Sequence, residues 1–223
     1  GGDDSSATIS FKKKLGIFEK YKTNEAMMGR LYRYITLLLG MKPGQHEYKV
    51  MGLAPYGSKY HGIRALEFFR KFNSIKNYKI KNLRVFKDCY YASKKSLEGE
   101  RFDGIAWGLQ TYLEEFLTKW VTNCIKHFKK KEIILSGGVA QNIKAIKSLS
   151  ENKKVKSVWA GPISGDGSLA IGAVWHEAEK YEKKKITFLN NIYLGTKIDN
   201  DEILKELRRI KNNFIIKKNV SNL

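Results

Sequence analysis

Residues 132–168 read EIILSGGVAQNIKAIKSLSENKKVKSVWAGPISGDGS and carry the clearest alternation of strand-like and helix-like runs in the chain. Glu132-Ile133-Ile134-Leu135 is an apolar run of strand length, closed by the turn Ser136-Gly137-Gly138. Val139 to Leu149 has helical spacing. Val155–Trp159 is a second strand-like run. It leads into Gly161-Pro162-Ile163-Ser164-Gly165-Asp166-Gly167-Ser168 and then a helix of small residues through Ala178. Strands alternating with helices predict an α/β layered fold.

N-terminal to this stretch, the most regular helix is 102–128. Phe102, Ile105, Ala106, Leu109, Tyr112, Leu113, Phe116, Trp120, Val121, Cys124 and Phe128 make a continuous apolar face. Glu115 precedes Lys119 by four residues, the favourable order for an ion pair. At 1.5 Å per residue this helix is about 40 Å long, and it is expected to be a core element packed on the sheet. Residues 25–39 also follow a helical period through Met27, Leu31, Tyr34, Ile35 and Leu38, with Gly40 as the stop. Residues 41–57 read as a loop broken by Pro43-Gly44 and Pro55. A short basic amphipathic helix is expected at 60–72. Residues 73–100 read as irregular, with a strand near 83–86. The opening GGDDSSATISF is a Gly/Asp turn entering a strand in which Ala7, Ile9 and Phe11 alternate. Lys183-Lys184-Lys185 ends the unit, and 192–223 carries one short helix, 201–211.

The 223 residues are 42% hydrophobic and 29% charged, the balance of a folded globular chain of one or two domains rather than a disordered one. The formal net charge is +20. Such an excess suits nucleic acid or lipid headgroups, or is simply a lysine-decorated surface. It is spread along the chain: residues 58–100 hold 11 basic and 4 acidic side chains, and residues 126–156 hold 9 and 2. Neither stretch has clustered arginines or interleaved aromatics, so no specific nucleic-acid partner is expected. A basic nucleic-acid-binding module stays as the alternative class. No apolar run reaches the ~18 residues of a membrane span, and no signal-peptide pattern is visible. Cys89 and Cys124 form no CxxC, which argues for a reducing, cytoplasmic setting. The chain opens on glycine without an initiating Met and reads as a piece of a longer protein.

Three segments carry candidate chemistry. In Leu135–Asn142, two glycines at a strand end let a ligand approach the backbone. A following helix N-terminus would offer N–H groups to an anion or nucleotide, and Asn142 would reach a ribose or base edge. A tight turn without a ligand is the alternative. In Gly161–Ser168, Asp166 is either the N-cap of the next helix, in competition with Ser168, or a metal ligand or substrate partner on a rigid loop. In His46–Gly57, His46, Glu47 and Lys49 offer a general base, an orienting carboxylate and a phosphate-binding cation. A solvated charged loop is the alternative. His46, His61, His127 and His176 have no partner at metal-binding spacing, so this chain alone builds no His-rich metal centre.

Taken together, HEYKVMGLAPYG (46–57), LSGGVAQN (135–142) and PISGDGSLAIGA (162–173) resemble the successive blocks of the O-carbamoyltransferase family, of the nodulation-protein and cephamycin/tobramycin type. GGDDSSATIS and GRLYRYITLLLGMK (29–42) resemble the stretch before the first block. The resemblance covers residues 1–178. It implies the second half of an actin-like ATPase (ribonuclease H-like) α/β domain with a helical insertion, spanning 1–185. Residues 186–223 would be a linker and the truncated start of a YrdC-like C-terminal domain, because Ile192-Tyr193-Leu194-Gly195 resembles its opening. Another actin-like-fold ATPase, such as a tRNA threonylcarbamoyl-transfer protein or a sugar kinase, is the alternative within this fold, and the 46–57 block argues against a kinase. The resemblance further implies carbamoyl transfer from carbamoyl phosphate, through an ATP-derived carbamoyl-adenylate, to the hydroxyl of a small-molecule acceptor. Gly137, Gly138 and Asn142 match the family's nucleotide-binding turn. Asp166 matches its metal-ligand aspartate, where iron or a similar divalent ion binds. His46, Glu47 and Lys49 match the loop near the substrate, with Lys49 contacting phosphate or the carbamoyl oxygen and His46 handling a proton. The family's paired metal-binding histidines and first phosphate loop lie upstream of the segments present here, so the remaining half of the same polypeptide is an expected partner.

Overall fold

The computed structural model describes residues 5–13, 16–83, 88–161, 163–182 and 195–209. The chain divides into two compact units, Gly1–Lys183 and Lys184–Leu223. The described part of the second unit consists of Gly195–Asp199 and one helix, Asn200–Arg209, in which Asp199 Oδ1 accepts from Glu202 N–H at 2.8 Å.

The first unit is mixed α and β, as the alternation of apolar runs predicts. It opens with an antiparallel pair, β1 (Ala7–Lys13) and β2 (Gly16–Thr23), whose register shifts between Ile9 and Ser10. Helix α1 (Met28–Leu38) follows, and Gly40, at φ +75°, ends it. The segment read as a loop is instead helical: α2 spans Glu47–Leu53 and a single 3-10 turn covers Ala54–Tyr56. Only Pro43-Gly44 breaks the chain there. Pro55 falls in the first turn of the 3-10 segment, where a missing N–H costs nothing, and Val50 and Ala54 bury the inner face.

Helix α3 (Lys59–Arg70) lies where the amphipathic pattern placed it. The region read as irregular then forms an antiparallel hairpin, β3 (Asn73–Lys76) and β4 (Lys79–Asn82), turned by Asn77 at φ +54°. Leu83 is outside the hairpin, and the rest of the strand expected at 83–86 lies outside the described residues. Helix α4 (Cys89–Ser96) starts on Asp88, whose Oδ1 accepts from Tyr90 N–H at 2.8 Å and Tyr91 N–H at 3.1 Å.

Helix α5 covers Phe102–Phe128, as expected, but its principal partner is α3 rather than a sheet. Glycines make this possible. A Cβ on Gly104 would run into the His61 carbonyl, and one on Gly108 would stand 2.8 Å from Leu66 N and 2.9 Å from Ala65 Cβ. With Gly62 facing them from α3, the two backbones approach more closely than side chains allow. Gly57 meets the Asp103 carbonyl in the same way, which pins the end of the 46–57 block to α5. Two details of the expected face differ. Phe102 is exposed, and Glu115 forks onto Arg70 at 2.9 and 2.6 Å instead of pairing with Lys119.

A β-α-β unit completes the layer. Strands β5 (Glu132–Leu135) and β6 (Ser157–Ala160) are parallel, pairing Glu132 with Ser157 through Leu135 with Ala160. The expected single helix from Val139 is split into a 3-10 turn, Gly138–Gln141, and α6, Ile143–Ser150. Asn142, at φ −76° and ψ 95°, is extended and interrupts the run. Helix α7 (Ser168–Glu177) follows and passes into a π turn at 178–182.

The core is one cluster joining α1, α3, α5, α6 and the hairpin, with Leu31, Ile35, Phe69, Phe72, Leu109 and Leu149 essentially inaccessible. The outer face of the parallel pair is uncovered: the cross-strand partners Ile134 and Trp159 are 74% and 50% exposed. No described helix is long and apolar enough to cross a membrane.

Candidate functional site

Because β5 and β6 are parallel neighbours, the glycine-rich segments that follow them emerge side by side at the carboxyl ends of the strands. That edge is where open α/β sheets bind ligands. The two segments touch. Gly137 N–H donates to the Ser164 carbonyl at 2.7 Å. Gly137 has φ +98°, a conformation that favours glycine. Ser164 is buried and its hydroxyl donates to the Gly161 carbonyl at 2.6 Å, which closes the second loop on itself. A Cβ on Gly165 would stand 2.7 Å from Gln141 Nε2, a second point of close approach.

Gly138 differs from its neighbours. A Cβ built there meets nothing within 4 Å, and its φ is ordinary. The fold itself does not require a glycine at this position.

Asp166 is exposed, and its carboxylate makes no hydrogen bond among the described residues. It does not cap α7. The N-cap is Gly167, with no side-chain cap, and the Ser168 hydroxyl turns back to the Gly165 carbonyl at 2.8 Å. Both capping expectations are therefore corrected. No three His, Cys, Asp or Glu residues gather anywhere among the described residues. One lone carboxylate does not by itself fit a divalent ion, so the described residues around Asp166 do not supply a full ligand set.

Asn142 points inward. Its Oδ1 caps α6 by accepting from Ala145 N–H at 3.0 Å. The helix N-terminus that the sequence offered to an anion is thus already occupied by Asn142. The carboxamide also exchanges two hydrogen bonds with Gln110 of α5. Gln110 Oε1 accepts further from Tyr32 Oη at 2.7 Å, and its Nε2 donates to Glu114 Oε1 at 2.7 Å. Glu114 Oε2 accepts from Ser148 Oγ at 3.0 Å. Burial pushes the Tyr32 phenol above its ordinary range. This network fastens the turn after β5 to α1 and α5.

His46, Glu47 and Lys49 share the first turn of α2. His46 Nδ1 accepts from Lys42 N–H at 3.1 Å, and Nε2 lies 3.2 Å from Lys49 Nζ. Glu47 Oε1 takes the Gly44 N–H at 2.5 Å and so closes the Pro43-Gly44 turn; its described partner is that backbone and not the imidazole. Lys49 Nζ also lies 5.9 Å over the Tyr48 ring. No described contact joins His46 or Lys49 to either glycine loop. The far end of the same block does approach: Ala54, Pro55 and Gly57 share a cavity with Gln110, Glu114 and Lys144.

Sequence reasoning missed Gln110, Ser164 and Lys144. Gln110 had a signal, because it is a polar residue on the buried stripe of α5 between Leu109 and Leu113. Ser164 and Lys144 had none.

Residues 5–175 match the family model described as carbamoyltransferase N-terminus. The chain is 29% identical to the uncharacterized protein MJ1051 of Methanocaldococcus jannaschii over 95% of its own length and 41% of that protein. It is 31% identical to the uncharacterized protein sll1178 of Synechocystis, over 79% of this chain and 32% of that one. It is 26% identical to the nodulation protein NolNO of Sinorhizobium fredii, over 72% and 24%. The chain thus spans between a quarter and two fifths of the length of these relatives. A match that runs through the signature helix α2, the Gly137 turn and the Asp166 loop places the chain in the carbamoyltransferase N-terminus family.

Proposed function

We propose that this chain contributes the nucleotide-facing half of an actin-like carbamoyltransferase domain. In this reading, a carbamoyl group from carbamoyl phosphate passes through an ATP-derived carbamoyl-adenylate to the hydroxyl of a small-molecule acceptor. The observation that carries the reading is the hydrogen bond from Gly137 N–H to Ser164 O, which joins the two glycine-rich loops into one edge at the carboxyl ends of β5 and β6. Family membership supports carbamoyl transfer as the chemistry.

Gly138 is assigned to face the nucleotide. Its bare Cα leaves room at the carboxyl ends of the strands, which supports close approach of a ligand to the backbone there. Asn142 acts as a positioning residue: the carboxamide that could have met a ribose instead holds the turn to Gln110. The acceptor hydroxyl attacks the carbamoyl carbon, its proton passes to a base, and AMP leaves. His46 is the candidate proton handler and Lys49 the candidate contact to phosphate or the carbamoyl oxygen, both exposed on α2. Asp166 would lend one carboxylate to an iron site completed elsewhere in the protein. The rest of the same polypeptide is proposed to cover this edge. With both cysteines present as free thiols, the proposed setting is the cytoplasm.

Gly138→Val in the full-length protein tests the reading. ATP binding measured by titration should weaken at least tenfold and carbamoyl transfer should fall with it, while the thermal midpoint stays within a degree. Unchanged nucleotide affinity in this variant removes the nucleotide assignment.

A further inference from the structure

Between the end of the 46–57 block, α5 and α6 lies a cavity of ≈190 Å³ that the reaction above does not use. Ala54 and Gly57 wall it on one side, Gln110, Thr111 and Glu114 of α5 on another, and Lys144 of α6 closes it. At about 30 Å³ per water it holds roughly six waters. Pockets for nucleotide-sized ligands run to ~300–1,000 Å³, so whatever binds here is small.

The polar groups on its walls are unequally engaged. Gln110 is 3% exposed and its carboxamide is fully partnered. Both Glu114 oxygens already accept hydrogen bonds, from Gln110 and Ser148. The Lys144 ammonium and the Thr111 hydroxyl have no partner among the described residues, although Glu114 shares their wall. Each Glu114 oxygen is engaged once, whereas the Lys144 and Thr111 donors are open. Lys144 is also the second residue of α6, whose first turn holds no acidic side chain. A cation there stands at the positive end of the helix dipole, an arrangement that costs energy unless an anion offsets it.

We propose that this cavity binds a small oxyanion of the phosphate class, with Lys144 as its cation and Thr111 as a hydrogen-bond donor. Gly138 is not part of its wall, so the site stands or falls separately from the nucleotide reading.

Inorganic phosphate titrated into the full-length protein, at an ionic strength held constant with potassium chloride and followed by calorimetry, tests it. Lys147, on the exposed side of α6, pairs with Glu151 at 3.7 Å and serves as the control for diffuse attraction to a basic surface. Saturable one-site binding is expected in the wild type, in Lys147→Gln and in Lys144→Arg. It should be at least tenfold weaker in Lys144→Gln and severalfold weaker in Thr111→Val, with circular dichroism unchanged. Absence of saturable binding overturns the proposal, and so does an equal loss in Lys147→Gln and Lys144→Gln.

Discussion

Gln110 and Asn142 exchange two hydrogen bonds across the α5–α6 boundary, Nε2 to Oδ1 at 3.0 Å and Nδ2 to Oε1 at 2.8 Å. Both side chains are at least nine-tenths buried. Removing one partner takes two hydrogen bonds from the other buried amide, which keeps only its remaining contacts (Gln110 with Tyr32 and Glu114, Asn142 with Ala145 N–H); a loss of about 1–3 kcal/mol is expected. Asn142→Ala also loses the α6 cap, a further ~0.5–2 kcal/mol. Gln110→Leu in turn strands the Tyr32 hydroxyl, so urea unfolding should place both variants clearly below the wild type. The double variant should lose less than the sum of the two, because the exchanged pair is counted in each single change. Strict additivity would mean that the pair is not coupled.

The glycines give a contrast within one protein. Gly104→Ala pushes a methyl group into the His61 carbonyl on the facing helix, and neither backbone can yield without parting α3 from α5. A loss of about 3 kcal/mol is expected, at the upper end of overpacking costs. Gly138→Ala meets open space and should shift the unfolding midpoint hardly at all. Equal destabilisation by the two would contradict the packing described here.

The layered α/β order was legible because α5, β5 and the β6 region carry long or clean periods. The hairpin at 73–82 was not. Its strands are four residues each, rich in lysine and asparagine, and they are held by contacts far along the chain, such as Tyr21 Oη on both polar backbone groups of Ile80. Helix α2 was hidden by its flanking prolines. At the site, the glycine turns were readable from local pattern. The inward turn of Asn142 was not, because it depends on Gln110, thirty-two residues away.

Burial pushes the Cys124 thiol up to about 12 and raises Cys89 as well. At pH 8 neither thiol has appreciable thiolate, so Ellman's reagent should react slowly with the native protein and quickly once urea unfolds it. The linkage has a definite sign. Between about 9 and 12 the folded protein keeps a proton on Cys124 that the unfolded chain has released, so stability falls as pH rises. Tyr32 and Tyr112, also raised by burial, steepen the decline above 10. On the acid side, Arg101 holds Asp103 at about 2, and that stabilisation is lost as pH falls from roughly 4 towards 2. Urea midpoints measured across pH should show both limbs. Cys124→Ala should flatten the alkaline one, and an unchanged slope would show that Cys124 is not the group responsible.

Parallel strand pairs occur almost always with both faces covered, yet Ile134 and Trp159 stand opposite each other on the open face of β5 and β6. Helix α7 is similarly bare, with Leu169 and Val174 exposed. The relatives are more than twice the length of this chain, and in the reading proposed above the rest of the polypeptide would cover this face. If it covers this face, Ile134→Lys in the full-length protein buries an unpaired ammonium against apolar neighbours and should lower stability by several kcal/mol. Exposed positions away from such features change stability by only about 0.5 kcal/mol. Trp159 should also be blue-shifted in the full-length protein and shielded from acrylamide quenching. A neutral Ile134→Lys together with a freely quenched Trp159 would show that this face stays open to solvent.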